Sequence, residues 1–274
     1  MISTWILACT LVAQVPAPVV TPSTQKPAAS LAEQTASQPA RPAGQTAATP
    51  AQVSPWTDDR PITHLFQNLG KDLRALGTWE VGGIILVGGA ATALLHPEDD
   101  NVAAWAQSQP TASTAADIGN AIGNGWTQSG GAIAVWAAGK AAGHDALAHV
   151  GSDLIRVQVL TNLLTSTVKV TTNRERPNGG AHAFPSGHTS TTFATAAVIQ
   201  SHFGWGAGAA GYAVASYVGW SRIRSNHHWL TDVTFGAAMG VMSGHAVTRG
   251  HSSQWSVAPV KTPGGFAVVV TRRN

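Results

Sequence analysis

The sequence predicts an all-α protein: a bundle of closely packed helices with a short C-terminal β-hairpin. Three observations support that expectation. From Trp79 onward, apolar blocks alternate with short polar breaks. Ala, Gly, Ser and Thr dominate those blocks, which favours helices in close contact. β-prone runs are confined to Trp255 to Val260 and Phe266 to Val270, around Lys261-Thr-Pro-Gly-Gly265. Hydrophobic residues make up 44% and charged residues 11% of the chain. A soluble domain usually has about a quarter charged residues, so charges that cluster here are informative.

The N-terminal part reads differently. Met1 to Ala17 is apolar, ends in small residues and resembles a secretory signal, although no Lys or Arg stands near its start. Ile6-Leu-Ala-Cys9 resembles a lipobox, but too few residues precede it. Residues 18–55 are rich in Pro, Ala, Thr, Gln and Ser, cannot bury enough surface to offset ordering entropy, and are expected to be a disordered linker. The folded domain is expected over 56–274. Cys9 is the only cysteine, which excludes an intrachain disulfide and a cysteine-based zinc site. A formal net charge of +3 without a basic, aromatic-interleaved run excludes nucleic acid as a partner.

Asp59-Arg-Pro61 has the form of a helix start, with the helix reaching about Leu76. Val81 to Leu95 is an uncharged block stopped by His96-Pro97. Further helices are expected at Asp99 to Ser108, Thr111 to Ile122, Gly130 to Ala142, Asp153 to Thr172, His188 to Phe203, Ala207 to Ser221 and His228 to Val247. A spanning helix needs about 20 apolar residues, and Val81 to Leu95 has 15. The blocks therefore read as buried core helices of a soluble domain, with peripheral membrane association left open. Gly206-Ala-Gly-Ala-Ala-Gly211 matches a dinucleotide pattern by its letters alone. No β-run precedes it and no acid follows at the required distance, so it reads as tight helix packing. His144 and His149, five apart, do not share a helical face and read as surface or core histidines rather than a metal pair.

Three segments carry chemistry. In Lys169-Val-Thr-Thr-Asn-Arg-Glu-Arg-Pro177, Lys169 and Arg176 are seven apart. On a helix they would lie on nearly one face and converge on one anion, with Pro177 ending the helix and Arg174 off that face, pairing with Glu175 or solvent. A solvated basic helix end is the plainer reading of that segment. In Phe184-Pro-Ser-Gly-His188, Ser186 is a good N-cap and Gly187 lets a ligand approach the backbone. The helix start it opens is an anion site, with His188 beside it as proton donor. In Ser221 to Asp232, His228 and Asp232 are four apart. On one helix Asp232 would orient the imidazole as nucleophile or base, whereas His227 would point elsewhere. Each segment alone has an ordinary structural reading. Together they supply three cations, an amide nest and two histidines, the parts phosphoryl transfer needs.

Lys169-x6-Arg176-Pro177, Pro185-Ser-Gly-His188 and Ser221-Arg222-x5-His228-x3-Asp232, in that order over 64 residues, resemble the three signature motifs of the type-2 phosphatidic acid phosphatase and vanadium haloperoxidase superfamily. The resemblance implies that family's helical bundle. It also implies His228 as the nucleophile that forms a phosphohistidine, Asp232 as its orienting partner and His188 as acid and base. Lys169, Arg176, Ser186, Gly187 and Arg222 would hold the phosphate oxygens, with no metal and no cofactor. The expected activity is a phosphomonoesterase acting on a phosphorylated small molecule or lipid phosphate, exported to the periplasm or membrane-associated. A vanadate-dependent haloperoxidase and a non-catalytic phosphate- or phospholipid-binding module are the alternatives.

Overall fold

The computed structural model describes residues 4–5, 62–109, 113–248, 255–262 and 265–272. The expected linker, nearly all of the signal-like segment and the helix start at Asp59 to Pro61 lie outside the described residues. The expectation of a helical bundle holds. A 3-10 turn, Ile62–His64, leads into α1 (Leu65–Ala75). Then follow α2 (Trp79–Leu95), a 3-10 turn (His96–Glu98), α3 (Asp99–Ser108), α4 (Ser113–Gly123), α5 (Gly125–Ala141), α6 (Asp145–Thr172), α7 (Gly187–Arg224) and α8 (Leu230–Thr248). β2 (Trp255–Thr262) and β3 (Gly265–Arg272) form the expected antiparallel hairpin, and β1 (Thr4–Trp5) pairs with β3 through Thr4 and Thr271.

The two blocks expected at His188 to Phe203 and Ala207 to Ser221 are the limbs of α7, which folds back on itself at Gly204. There φ is 79° and ψ 179°, backbone that favours glycine. A Cβ placed on Gly208 would meet Gln200, and one on Gly211 would meet Ala196. The limbs therefore run antiparallel and in contact, and the dinucleotide-like glycines serve packing as expected. The turn returns Arg222 to the level of His188, close enough for each charge to act on the other.

Helix α8 lies against the first limb of α7 along Gly236, Gly240 and Gly244, spaced four apart on one face. A Cβ added at Gly236 would stand 2.8 Å from the Ser186 carbonyl. One at Gly240 would come closer still to the Ser190 carbonyl, and one at Gly244 to the Ala197 methyl. The core joins Val81 of α2, Ala132 of α5, Val150, Leu154, Val157 and Leu160 of α6, Ala194 and Val198 of α7, and Met242, Ala246 and Val247 of α8. Toward the end of the bundle away from Lys169, His188 and Arg222, an ion-pair cluster ties α1, α6 and α7 together. Arg156 donates to both oxygens of Asp72, at 2.8 and 2.6 Å, and to Asp153, whose other oxygen is 2.9 Å from His202 Nε2.

One expectation is corrected. Val81 to Leu95 is not a core helix: only Val81 and Gly88 of α2 are buried, while Leu86, Val87 and Leu94 are 70 to 80% exposed. With the helix that follows it, Trp79–Ser108 is long and apolar enough to cross a membrane, and 6% of its most apolar stretch is buried. Counting residues in the uncharged block understated the element, because the chain stays helical through His96-Pro97 and into α3.

Gly240→Ala forces a Cβ into the Ser190 carbonyl. It is expected to destabilise the fold by about 1–3 kcal/mol, as overpacking typically does, read as a lower thermal midpoint. Gly83→Ala, where an added Cβ meets no atom within 4 Å, is the comparison and should not lower it.

Candidate active site

The candidate residues come from helix ends and loops at one end of the bundle. Lys169 sits in the last turn of α6, Ser186 to His188 open α7, Arg222 lies in its last turn, and His228 to Asp232 lead into α8. Their charges act on one another, which marks their proximity. Lys169 feels Arg176, Asp232 and Arg222, and His188 feels Arg222, His228, His227 and Lys169.

Ser186 caps α7: its Oγ accepts from the Thr189 amide at 3.5 Å and from Thr189 Oγ1 at 2.9 Å. The cap leaves the start of α7 as an anion-favouring amide cluster. A Cβ on Gly187 would lie 3.8 Å from Lys169 Cε, which places the helix start beside the lysine side chain. Lys169 Nζ donates to the His182 carbonyl at 2.7 Å and to the Ala183 carbonyl at 3.3 Å. Arg176 donates from Nε to the Ala181 carbonyl at 3.0 Å. Arg222 is buried, and its Nη1 donates to Asn120 Oδ1 at 2.5 Å while its Nε has no partner among the described residues. A buried guanidinium with an unused donor is suited to an oxyanion.

His228 and Asp232 meet as the spacing required: Nδ1 lies 3.3 Å from Oδ2, with the imidazole 3% exposed and the carboxylate fully buried. They do not share a helix, however, because α8 starts at Leu230. Asp232 Oδ2 also accepts from the Trp229 amide at 2.9 Å, so the carboxylate caps the chain that enters α8 and the histidine lies in the preceding loop. A capping carboxylate and a helical i,i+4 pair give the same sequence spacing. The expected two-turn helix from Lys169 to Arg176 is likewise corrected. α6 stops at Thr172, with Asn173 in the left-handed region at φ 42°, so Arg176 reaches the site from a loop and Pro177 is not the terminator.

Arg174 was expected to pair with Glu175 or solvent. It instead donates to Asp232 Oδ1 at 2.9 Å, to Thr231 Oγ1 at 2.7 Å and to Asp99 Oδ2 at 2.8 Å. Asp99 and Asn120 were missed by sequence reasoning. Both are remote in the chain and belong to segments without a motif, and the one available signal was an acid among polar residues at the head of α3.

Burial sets the protonation of the site. It lowers Lys169 to about 8, aided by Arg176. Burial, Arg222 and then His228 lower His188 to about 3. Burial lowers His228 to about 4 against the raising effect of the Asp232 hydrogen bond. Burial and Arg176 lower Arg222 to about 10, still a cation at neutral pH. The site at pH 7 therefore holds two neutral imidazoles among protein cations, with His228 Nδ1 turned to Asp232. Its other nitrogen is left as a lone-pair donor.

Among the described residues, His149, Asp153 and His202 have ligand atoms within 4.8 Å of one another. Arg156 already bonds the other oxygen of Asp153, so the group reads as an ion-pair cluster rather than a metal centre. His149 is thus a core histidine, one of the two readings the sequence left open.

Residues 152–256 match the PAP2 superfamily, so the resemblance carried by the three motifs holds over that segment. A lipid A 1-phosphatase of Porphyromonas gingivalis is 46% identical over 81 residues, which are 28% of this chain and 18% of that protein. The aligned part thus spans less than a fifth of the relative's length. The crystal structure of Aquifex aeolicus LpxE aligns over 55% of this chain and 94% of its own at 20% identity, with a TM-score of 0.48. That of a transmembrane PAP2 type phosphatidylglycerolphosphate phosphatase from Bacillus subtilis aligns over 68% and 93% at 19% identity, with a TM-score of 0.35.

The sign of the Lys169 shift gives a test. Its site pKa lies below the ordinary value, so its charge is lost as pH rises through about 8. Binding of inorganic phosphate, measured by calorimetry, is expected to weaken across that pH. Lys169→Arg should remove the decline.

Proposed function

We propose that the chain is a metal-independent phosphomonoesterase that hydrolyses a phosphate ester, with a lipid phosphate as the favoured substrate, through a phosphohistidine. The observation that carries this reading is His228, neutral and oriented by Asp232, within electrostatic reach of Lys169 and Arg222. A phosphate drawn between Lys169, Arg176, Arg222, the Ser186 hydroxyl and the Gly187 amide has its charge offset by the protein's own cations.

In the first step the free nitrogen of His228 bonds to phosphorus as the ester P–O bond breaks. The leaving oxygen takes a proton from His188. That imidazole, held neutral first by burial and then by neighbouring cations, gains its proton as the phosphate's negative charge enters beside it. Asp232 stabilises the charge that develops on His228. In the second step His188 takes a proton from water, the water oxygen bonds to phosphorus, and the P–N bond breaks to release phosphate.

Two observations support a lipid over a soluble ester. A cavity of about 470 Å³ lies beside the site between α2 and α8, lined by Thr92, His96, Arg174, Phe184, Thr231 and Phe235. It adjoins α2, whose apolar side chains are exposed. A relative named for lipid A 1-phosphate chemistry agrees with that choice. Membrane association through Trp79–Ser108 fits the same reading, and the signal-like sequence of Met1 to Ala17 supports an exported, periplasm-facing site. No observation on the described residues favours the haloperoxidase.

The test compares wild type with His228→Ala on p-nitrophenyl phosphate and on phosphatidic acid in mixed micelles. Loss on the order of a thousandfold or more is expected on both substrates, as removal of a covalent nucleophile typically gives. Acid-quenched wild-type protein should carry an acid-labile phosphate that His228→Ala lacks. Equal rates for the two proteins would sink the proposal.

A further inference from the structure

We infer that Arg174, braced by Asp99, is the positioning residue that aims Asp232 at His228. The inference rests on the phosphohistidine reading above and deepens it.

Asp232 is fully buried, and its two oxygens have separate duties. Oδ2 faces the Trp229 amide at 2.9 Å and His228 Nδ1 at 3.3 Å, while Oδ1 takes Arg174 Nη1 at 2.9 Å. The carboxylate cannot turn about its last bond without giving up the guanidinium. Arg174 is held in turn. Its Nη2 donates to Asp99 Oδ2 at 2.8 Å, and its guanidinium lies 5.5 Å from the centre of the Trp229 ring. Trp229 is itself anchored by its indole N–H to the Glu175 carbonyl at 2.8 Å.

Asp99 fixes the same place from the far side. Its Oδ1 accepts the Thr231 amide at 2.9 Å, and its Oδ2 accepts Thr231 Oγ1 at 2.6 Å. One planar fork thus spans two carboxylates. Each of those carboxylates also takes an amide from the chain entering α8, Trp229 for Asp232 and Thr231 for Asp99. A guanidinium can hold both acids in one plane, whereas a lysine ammonium is a single point of charge and cannot fix that plane. Without the arginine, two largely buried acids would lose their shared cation, an arrangement that proteins tolerate poorly.

Arg174 Nη1 bonds Asp232 and Thr231 and its Nη2 bonds Asp99, which fixes the guanidinium against the carboxylate; on this inference its action on the phosphate runs through Asp232 and His228. It therefore bears on the chemical step and leaves anion binding to Lys169, Arg176 and Arg222. Arg174 lies inside the first motif, whereas Asp99 stands 75 residues upstream of it, at the head of α3, a segment the three motifs do not include.

The test uses the full chain in detergent with four variants: Arg174→Ala, Arg174→Lys, Asp99→Asn and His228→Ala. Turnover and KM are measured on p-nitrophenyl phosphate, and binding of inorganic phosphate is measured separately by calorimetry. The expected result is a fall in kcat on the order of tenfold or more for Arg174→Ala, the scale at which partners of a working imidazole act. KM and phosphate affinity should stay within about threefold of wild type, and the kcat values of Arg174→Lys and Asp99→Asn should fall between the two. Wild-type kcat in Arg174→Ala would overturn the inference. So would parallel loss of phosphate binding, which would make Arg174 an anion ligand or a general prop. If Arg174→Ala does not fold, wild-type kcat in both Arg174→Lys and Asp99→Asn overturns it equally. Undiminished turnover in His228→Ala would instead remove the phosphohistidine reading itself, a separate outcome.

Discussion

The structure of the site depends on one buried residue. Asp232 takes His228 and the Trp229 amide on one carboxylate oxygen and Arg174 on the other, and its backbone carbonyl accepts the Ser186 amide at 2.9 Å. A single residue thereby joins all three motif segments. A carboxylate without solvent is costly unless each oxygen is matched. Here the matching comes from residues of the candidate site, so satisfying the buried charge and assembling that site are the same event.

The bundle delivers those segments through close helix approach. The reversal of α7 at Gly204 brings its start and its end to one level, which places His188 beside Arg222. The glycines of α8 let that helix lie directly against the α7 backbone, close enough for the Ser186 to Asp232 hydrogen bond to form. Larger side chains along that seam would separate the second motif from the third. The abundance of small residues that gave the sequence its low-charge, Ala- and Gly-rich character is thus the physical condition for the site.

The electrostatics follow from the same burial. Removing water from the cluster favours neutral imidazoles and weakens the hold of Lys169 on its proton. Under the proposed function, an arriving phosphate would add negative charge among these groups and offset the neighbouring cations, leaving burial as the remaining pressure. The exposed apolar side of α2, next to the cavity that Arg174 and Phe184 line, gives the surroundings a different character from the polar site.

The helices and the motif residues were legible in the sequence because both are local. Small-residue blocks between polar breaks gave most of the elements, Ser186 announced its cap, and the four-residue spacing of His228 and Asp232 anticipated their contact. Local spacing also misled where two geometries share it. His228 precedes α8 rather than riding on it, and Arg176 follows the end of α6 at Asn173. Only the tertiary structure could assign Arg174 to Asp232 and Asp99, bring Asn120 to Arg222, and turn the face of α2 outward. Those relations join residues tens of positions apart, and a partner at that distance is chosen by how the helices pack, which no local pattern records.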